Sequence, residues 1–120
     1  MGAKQVLVVD DEPMVLSAVR MTLKFYGYAV ETASSAAEAL DKLLGMSFDL
    51  VITDFKMPDM AGAVFAKEIK RRHPALPILL VTAFPPSVRS TDVDGVLLKP
   101  FSASDLQTVV VAVIGPAQTS

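Results

Sequence analysis

The sequence predicts one α/β domain in which a doubly wound, five-stranded parallel sheet carries helices on both faces. Short apolar runs without alternating polar residues are typical of strands buried on both faces, and here they alternate with segments of helical spacing. The runs are Gln5 to Val9, Leu50 to Thr53, Ile78 to Val81 and Val96 to Leu98, with a half-polar one at Ala29 to Ala33. Regular strand–helix alternation favours parallel strands joined by right-handed crossovers.

The segments between the runs have the apolar periodicity and the boundary residues of helices. The periodic positions are Leu16, Val19, Leu23 and Tyr26 in the first, Ala37, Leu40 and Leu44 in the second, and Phe65 and Ile69 in the third. The boundary signals are Pro13 at a first helical position, Ser35 with Glu38 and Ser102 with Asp105 as capping boxes, and Gly27 and Gly45 at helix ends. We expect a domain over residues 1–115, followed by a tail or the start of a linker at 116–120.

Composition argues against several classes of protein. The chain has 120 residues, a formal net charge of -2 and a pI near 5.2, so it lacks the basic excess that attracts nucleic acid. There are no cysteines, which leaves no disulfide framework or thiolate metal site. The amino terminus turns acidic at Asp10, without the apolar stretch of a signal peptide or a membrane span. A cytoplasmic location, with no membrane partner, fits these features.

Charged and hydroxyl side chains come directly after four of the predicted strands. They are Asp10 and Asp11 after the first strand, Asp54 after the third, Thr82 after the fourth and Lys99 after the fifth. Because parallel strands end at one edge of a sheet, these side chains converge where ligands bind in such folds. Taken singly, each also has an ordinary structural explanation; Asp11, for example, could cap the helix that begins at Pro13.

Together these residues point to a cation and to phosphoryl chemistry. Two carboxylates about 4 Å apart repel each other by roughly 1 to 4 kcal/mol unless a cation or proton intervenes. All-oxygen ligation by few carboxylates favours Mg²⁺. A carboxylate beside Mg²⁺ can attack phosphorus if charge on the transferred oxygens is neutralised, a task that suits Mg²⁺, the Lys99 ammonium and the Thr82 hydroxyl. This is the chemistry of an aspartyl phosphate.

The residues at the strand ends belong to a longer ordered set of motifs. The set is Asp10 and Asp11, then Asp54 with Met57, Pro58 and Gly62, then Thr82, and finally Lys99, Pro100 and Phe101. This set resembles the receiver domains of response regulators in bacterial two-component systems, of the chemotaxis-receiver type. The resemblance covers residues 4–114. It implies the flavodoxin-like strand order 2-1-3-4-5 and a signalling module that assists only its own phosphoryl transfer and dephosphorylation, not an enzyme with turnover.

The resemblance also implies roles for the residues at the strand ends. Asp54 would accept a phosphoryl group from a histidine kinase or phosphotransfer protein. Asp11, Asp54 and the backbone carbonyl of Lys56 would bind Mg²⁺, and Asp10 would assist through water. Thr82 and Lys99 would contact the phosphoryl group, and the peptide between Lys99 and Pro100 would be cis.

The chain departs from the family pattern between the fourth and fifth strands. The segment from Thr82 to Lys99 is short and contains Pro85 and Pro86, so the fourth helix of the family is expected to be short or absent. Many receivers carry Tyr or Phe where this chain has Val96, a residue that turns inward during activation. We therefore expect a different readout, through the loop from Phe84 to Gly95.

The last helix is unusually apolar around its circumference. Leu106, Val109, Val110 and Val113 can face the sheet, yet Val111, Ala112 and Ile114 extend the apolar surface. Two interpretations stay open: a tightly buried helix, or an interface with a second copy or an output domain. We favour the interface, which also suggests a piece of a longer regulator.

Three other functions remain as alternatives. A phosphohydrolase of the haloacid dehalogenase type also uses an aspartate nucleophile with Mg²⁺, but its second aspartate lies two residues after the first, whereas Asp10 and Asp11 are adjacent. A flavodoxin-like cofactor binder needs a phosphate loop after the first strand, where this chain has acidic residues. The third is a degenerate receiver that serves only protein contacts.

Overall fold

The computed structural model describes residues 3–57, 59–83 and 93–117 and shows the predicted parallel sheet. Its strands are β1 (Gln5–Val9), β2 (Ala29–Ala33), β3 (Leu50–Asp54), β4 (Ile78–Thr82) and β5 (Gly95–Leu98). They lie in the order β2-β1-β3-β4-β5, and every neighbouring pair is parallel. The expected order is thus confirmed. It places a topological switch point between β1 and β3, where ligands of such sheets bind.

Four helices lie in the described part of the chain. They are α1 (Pro13–Phe25), α2 (Ala36–Gly45), α3 (Gly62–Arg72) and α4 (Ala103–Ile114). The prediction of a shortened or missing helix between β4 and β5, and of a readout loop there, falls largely on residues 84–92, which are outside the described residues. None of the helices described is long and apolar enough to cross a bilayer.

Both faces of the sheet are covered, which explains why the strands read as continuous apolar runs. In β1, Leu7 and Val9 pack with α2 and α3, whereas Val6 and Val8 pack with α1 and α4. All four side chains are at most 2% exposed. The alternation of side chains across the sheet therefore sends apolar groups to two separate cores.

Capping follows the sequence signals with one difference. The side chain of Ser102 accepts a hydrogen bond from the Asp105 amide while Asp105 accepts from the Ser102 amide, a complete capping box. At α2, Ser35 accepts from the Glu38 amide at 3.1 Å. Glu38, however, reaches back to the amide and hydroxyl of Ser34, one residue before the cap. The second half of that box is therefore displaced by one residue.

The buried face of α2 was predicted with the wrong phase. The sequence favoured Ala37, Leu40 and Leu44. Leu40 is half-buried and packs against the core, but Leu44 is 76% exposed, and the buried positions are Ala36, Ala39 and Leu43. The two sets differ by one residue, which is a rotation of about 100° about the helix axis, and alanines and leucines occur on both sides. Small apolar residues therefore left the orientation open until packing against the sheet selected it.

The end of α4 is fastened to the amino-terminal edge of the sheet. The Lys4 amide donates to the carbonyl of Ala117 at 2.8 Å, and the Tyr28 hydroxyl donates to the carbonyl of Gly115 at 2.8 Å. Gly115 has a φ of +82°, a value that favours glycine. These contacts continue beyond the expected domain end at residue 115, and the position of that boundary stays a prediction.

Candidate functional site

The carboxyl edge of the sheet contains a cavity of about 390 Å³. Asp54 and Thr82 are the last residues of β3 and β4, and Asp10 and Lys99 directly follow β1 and β5. The cavity is lined by Asp11, Glu12, Asp54, Lys56, Met57, Thr82, Ala83 and Lys99. Four separate stretches of the chain supply this wall, because parallel strands end at the same edge.

Lys99 places one positive charge between two buried carboxylates. Its Nζ lies 3.8 Å from Oδ2 of Asp10 and 3.8 Å from Oδ1 of Asp54. Its backbone is held as well, because the Lys99 amide donates to the carbonyl of Thr82 at 2.7 Å. The peptide between Lys99 and Pro100 is cis. Charges in this partly desolvated setting interact more strongly than they would in bulk water.

Asp10 is the most deeply buried carboxylate of the site. The residue is 3% exposed, and the Glu12 amide donates to its Oδ1 at 2.9 Å. Burial raises the pKa of Asp10 above its ordinary value, and repulsion from Asp54 adds to this effect. The hydrogen bond from Glu12 and the charge of Lys99 lower that pKa without offsetting burial. The folded chain therefore disfavours the charged form of Asp10 unless further positive charge is supplied.

The chemistry of these donors fits a hard divalent cation. Carboxylate oxygens of Asp10, Asp11 and Glu12 lie within 4.8 Å of one another, and Asp54 faces the same cavity. Among the described residues no imidazole or thiolate lines this cavity. Oxygen donors with excess negative charge are the ligands that Mg²⁺ and Ca²⁺ prefer.

The loop from β3 to α3 folds back tightly behind Asp54. The Phe55 amide donates to Val81 at 3.0 Å, and the Gly62 amide donates to the carbonyl of Phe55 at 2.7 Å. A Cβ on Gly62 would lie only 2.5 Å from that same oxygen. Glycine is therefore required for steric reasons, and this close approach leaves Lys56 and Met57 beside the cavity.

The structure brings the residues singled out from the sequence to one place. Asp10 stands at the base of the site, and Asp11, Asp54, Lys56, Thr82 and Lys99 line the cavity. Sequence reasoning missed Glu12, whose carboxylate completes the acidic cluster. Its position directly after the aspartate pair could have indicated a role in the site. A residue directly before Pro13, however, is also expected at the start of a helix.

A second cavity of about 640 Å³ adjoins the first between α1 and α4. The two cavities share Ala83 and Lys99. The walls of the second are mainly apolar and include Val15, Phe101 and Leu106. An apolar groove thus leads to the acidic site.

Comparison with known proteins identifies the family. The family model described as the response regulator receiver domain matches residues 6–111. The transcriptional regulatory protein ZraR of Escherichia coli is 35% identical in an alignment of 112 positions, which covers 88% of this chain and 25% of that protein. The sensor kinase CckA of Brucella abortus is 34% identical in an alignment of 116 positions, which covers 91% of this chain and 12% of that protein. The chain therefore spans a quarter or less of these relatives.

Solved structures agree in fold over nearly the whole chain. The chemotaxis response regulator CheY4 of Vibrio cholerae superposes with a TM-score of 0.86 at 33% identity, covering 92% of this chain and 98% of that one. The response regulator TrrA of Thermotoga maritima, solved in complex with Mg²⁺ and BeF, gives 0.85 at 34% identity with the same coverage. The match to the family model and the similarity to these solved structures show that the chain belongs to the response regulator receiver domain family.

Proposed function

We propose that this receiver domain is a phosphoacceptor signalling module in which Asp54 receives a phosphoryl group with the help of Mg²⁺. The donor would be a histidine kinase or a phosphotransfer protein, and the modified surface would control a partner or an output. One observation carries the proposal: the Lys99 ammonium lies 3.8 Å from the Asp54 carboxylate at a cavity that Thr82 also lines. Membership of a signalling family supports it.

The residues of the site suit phosphoryl transfer to a carboxylate. A carboxylate oxygen of Asp54 forms a bond to phosphorus while the phosphorus–nitrogen bond to the donor imidazole breaks. The electron pair of that bond returns to the nitrogen, which takes up a proton. Lys99 offsets charge on the transferred oxygens and the Thr82 hydroxyl contacts them, so neither group has to form a covalent bond.

The acidic residues would hold the cation. We assign Asp11, Asp54 and the backbone carbonyl of Lys56 as direct ligands and Asp10 as a ligand through water; Glu12 adds charge to the same cluster. When bound, Mg²⁺ supplies positive charge that offsets the phosphoryl oxygens. TrrA, at 34% identity, was solved with Mg²⁺ and BeF, which supports the same ligand chemistry here.

The apolar groove beside the site provides a surface for the phosphodonor protein. Met14, Met21 and Phe25 are 85%, 66% and 83% exposed along α1. Their spacing places them on one face of the helix, and Met14 also lines the groove that shares Lys99 with the acidic cavity. A donor helix lying against this face would bring its phosphohistidine to Asp54.

The output side of the domain would be the surface formed by β5 and α4. Val96 and Leu98 are 39% and 48% exposed on the edge strand, and a cavity of about 470 Å³ lies between Val96 and Val109 on α4. In α4 itself only Leu106 and Val110 are fully buried. We propose that a second copy or an output domain covers this surface. Sedimentation at several concentrations, with and without a beryllofluoride mimic, tests self-association.

The alternative is a degenerate receiver that binds partners without being phosphorylated. The observation in its favour is Val96, which stands where many receivers carry an aromatic residue. Its side chain is partly exposed on β5. The intact set of Asp54, Thr82 and Lys99 favours phosphorylation.

Intact mass after incubation with acetyl phosphate and Mg²⁺ tests the proposal. We expect a single phosphoryl adduct in the wild type, and none in Asp54→Ala or after EDTA treatment. Circular dichroism of both proteins controls for folding. A folded wild type that forms no adduct would contradict the proposal and leave the binding module as the better description. Release of inorganic phosphate from p-nitrophenyl phosphate with turnover would instead favour a phosphohydrolase.

A further inference from the structure

The loop that follows Asp54 is attached to a helix that supplies no residue to the acidic cavity. Both carboxylate oxygens of Asp59 accept hydrogen bonds from the start of α2, at 3.1 Å from the Ala36 amide and 3.0 Å from the Ala37 amide. These are the first two residues of the helix. A residue of the β3–α3 loop thus satisfies the amides that the helix cannot bond internally.

The start of α2 has its own cap, so the contact with Asp59 is not needed to begin the helix. Ser35 accepts from the Glu38 amide at 3.1 Å, and the carbonyl of Ser35 accepts from Ala39. Ser35, the residue directly before α2, therefore satisfies the third and fourth amides of the helix, those of Glu38 and Ala39. Asp59 adds a connection between α2 and a loop that lies more than twenty residues further along the chain.

Hydrogen bonds and short stretches of backbone connect Asp10 to the loop that follows Asp54 by way of β2 and α2. The Asp10 amide donates to the carbonyl of Ala33 at the end of β2, and α2 begins three residues later. Asp59 then joins α2 to the loop. The base of that loop is closed by the bond from the Gly62 amide to the carbonyl of Phe55. Lys56 therefore lies in the sequence between two attached residues, Phe55 and Asp59.

We propose that Asp59 is a positioning residue for the cation site, because its bonds to α2 hold the loop that carries Lys56 beside the cavity. This inference rests on the proposed function for the identity of the cation and for the Lys56 carbonyl as one of its ligands. The hydrogen bonds from Ala37 and Ala36 also lower the pKa of Asp59, so the carboxylate keeps its charge across the pH range in which Mg²⁺ binds carboxylates. The ionised form accepts both bonds at once, whereas an amide offers one acceptor oxygen.

The experiment compares Asp59→Ala with Ser35→Ala, which removes the other side-chain cap of the same helix without touching the loop. Amide exchange is measured by NMR in the metal-free proteins. In Asp59→Ala we expect several-fold faster exchange at Ala36, Ala37 and Gly62, whose amides are hydrogen-bonded in the structure. In Ser35→Ala we expect faster exchange at Glu38 and wild-type exchange at Gly62. Equal exchange of the Gly62 amide in Asp59→Ala and wild type would overturn the proposal.

Binding of Mg²⁺, followed by calorimetry, provides the second readout. Residues that orient a metal ligand typically alter affinity by about tenfold or more when removed, so we expect Asp59→Ala to weaken binding by about tenfold and Asp59→Asn to recover part of it. Ser35→Ala should bind as wild type does. If Ser35→Ala weakens binding as much as Asp59→Ala, the effect is that of a helix cap and the positioning role is refuted. A wild type that binds no Mg²⁺ contradicts the proposed function, and the exchange data then decide the loop attachment alone.

Discussion

Replacing Gly62 by alanine should destabilise the domain by crowding the loop behind Asp54. The new Cβ would lie 2.5 Å from the carbonyl oxygen of Phe55. An ordinary carbon–oxygen contact is no closer than about 3.3 Å, so helix and loop would have to separate by roughly 0.8 Å. The φ of Gly62 is not in the left-handed region, which leaves this steric overlap as the main cost.

The magnitude follows from two contributions. Overpacking of this kind costs about 1–3 kcal/mol, and weakening the bond from the Gly62 amide to Phe55 costs about 0.5–1.5 kcal/mol. The free energy of unfolding should therefore fall by about 2–4 kcal/mol. At about 4 °C per kcal/mol for a domain of this size, the Tm should fall by roughly 8–16 °C.

The matched control is Gly45→Ala, because nothing lies within 4 Å of a Cβ at Gly45. Gly45 is the last residue of α2, and alanine there should stabilise by about 0.4–1 kcal/mol through the unfolded state. Thermal and urea denaturation followed by circular dichroism measure both variants. A Gly62→Ala protein as stable as the wild type, beside a normal Gly45→Ala control, would refute the steric argument and with it the packing of this loop.

Three further variants test other parts of the structure. Asp10→Asn should raise the Tm of the metal-free protein at neutral pH by a few degrees and reduce its stabilisation by Mg²⁺. Because burial raises the pKa of Asp10, this gain should be absent in acid and appear as pH rises from the ordinary carboxyl pKa through the raised one; a gain that is independent of pH would contradict this. Tyr28→Phe removes the bond to Gly115, so we expect a loss of about 0.5–1.5 kcal/mol in urea denaturation and faster exchange of the Gly115 amide, whereas unchanged exchange would argue against the attachment. Met21→Glu should slow phosphorylation by a protein donor and leave the acetyl phosphate rate unchanged; equal slowing by both donors would argue against docking on α1.

The sheet could be predicted from the sequence because its strands are covered on both faces. Val6 to Val9 alternate between two cores, so both sets of side chains must be apolar and the strand stands out from amphipathic helices. The candidate site followed from the same feature. Once Asp54 and Thr82 were recognised as strand ends, parallel topology alone placed them together.

Contacts between a loop and a helix that is distant in the sequence could not be predicted. Asp59 reads as an ordinary turn residue, because nothing near it in the sequence indicates that α2 begins within hydrogen-bonding distance. The orientation of α2 was undecided for a related reason, since Ala36 and Ala37 are equally suitable for a core position. In each case the outcome depends on how separate elements pack, and local sequence patterns carry little information about that.

Cation binding and folding stability should be coupled in this domain through Asp10. The strands place the side chain of Asp10, which is 4% exposed, beside Asp54, and the one Lys99 ammonium lies 3.8 Å from both carboxylates. The metal-free fold therefore retains unrelieved negative charge. A ligand that binds only the folded state stabilises it by an amount that grows with the ratio of its concentration to its Kd. Asp10→Asn relieves the repulsion and weakens Mg²⁺ binding, whereas Gly62→Ala keeps the charges and distorts the loop. Both changes should narrow the difference in the free energy of unfolding between metal-free and Mg²⁺-bound protein. Asp10→Asn should do so by stabilising the metal-free protein, and Gly62→Ala by destabilising the Mg²⁺-bound protein more than the metal-free one.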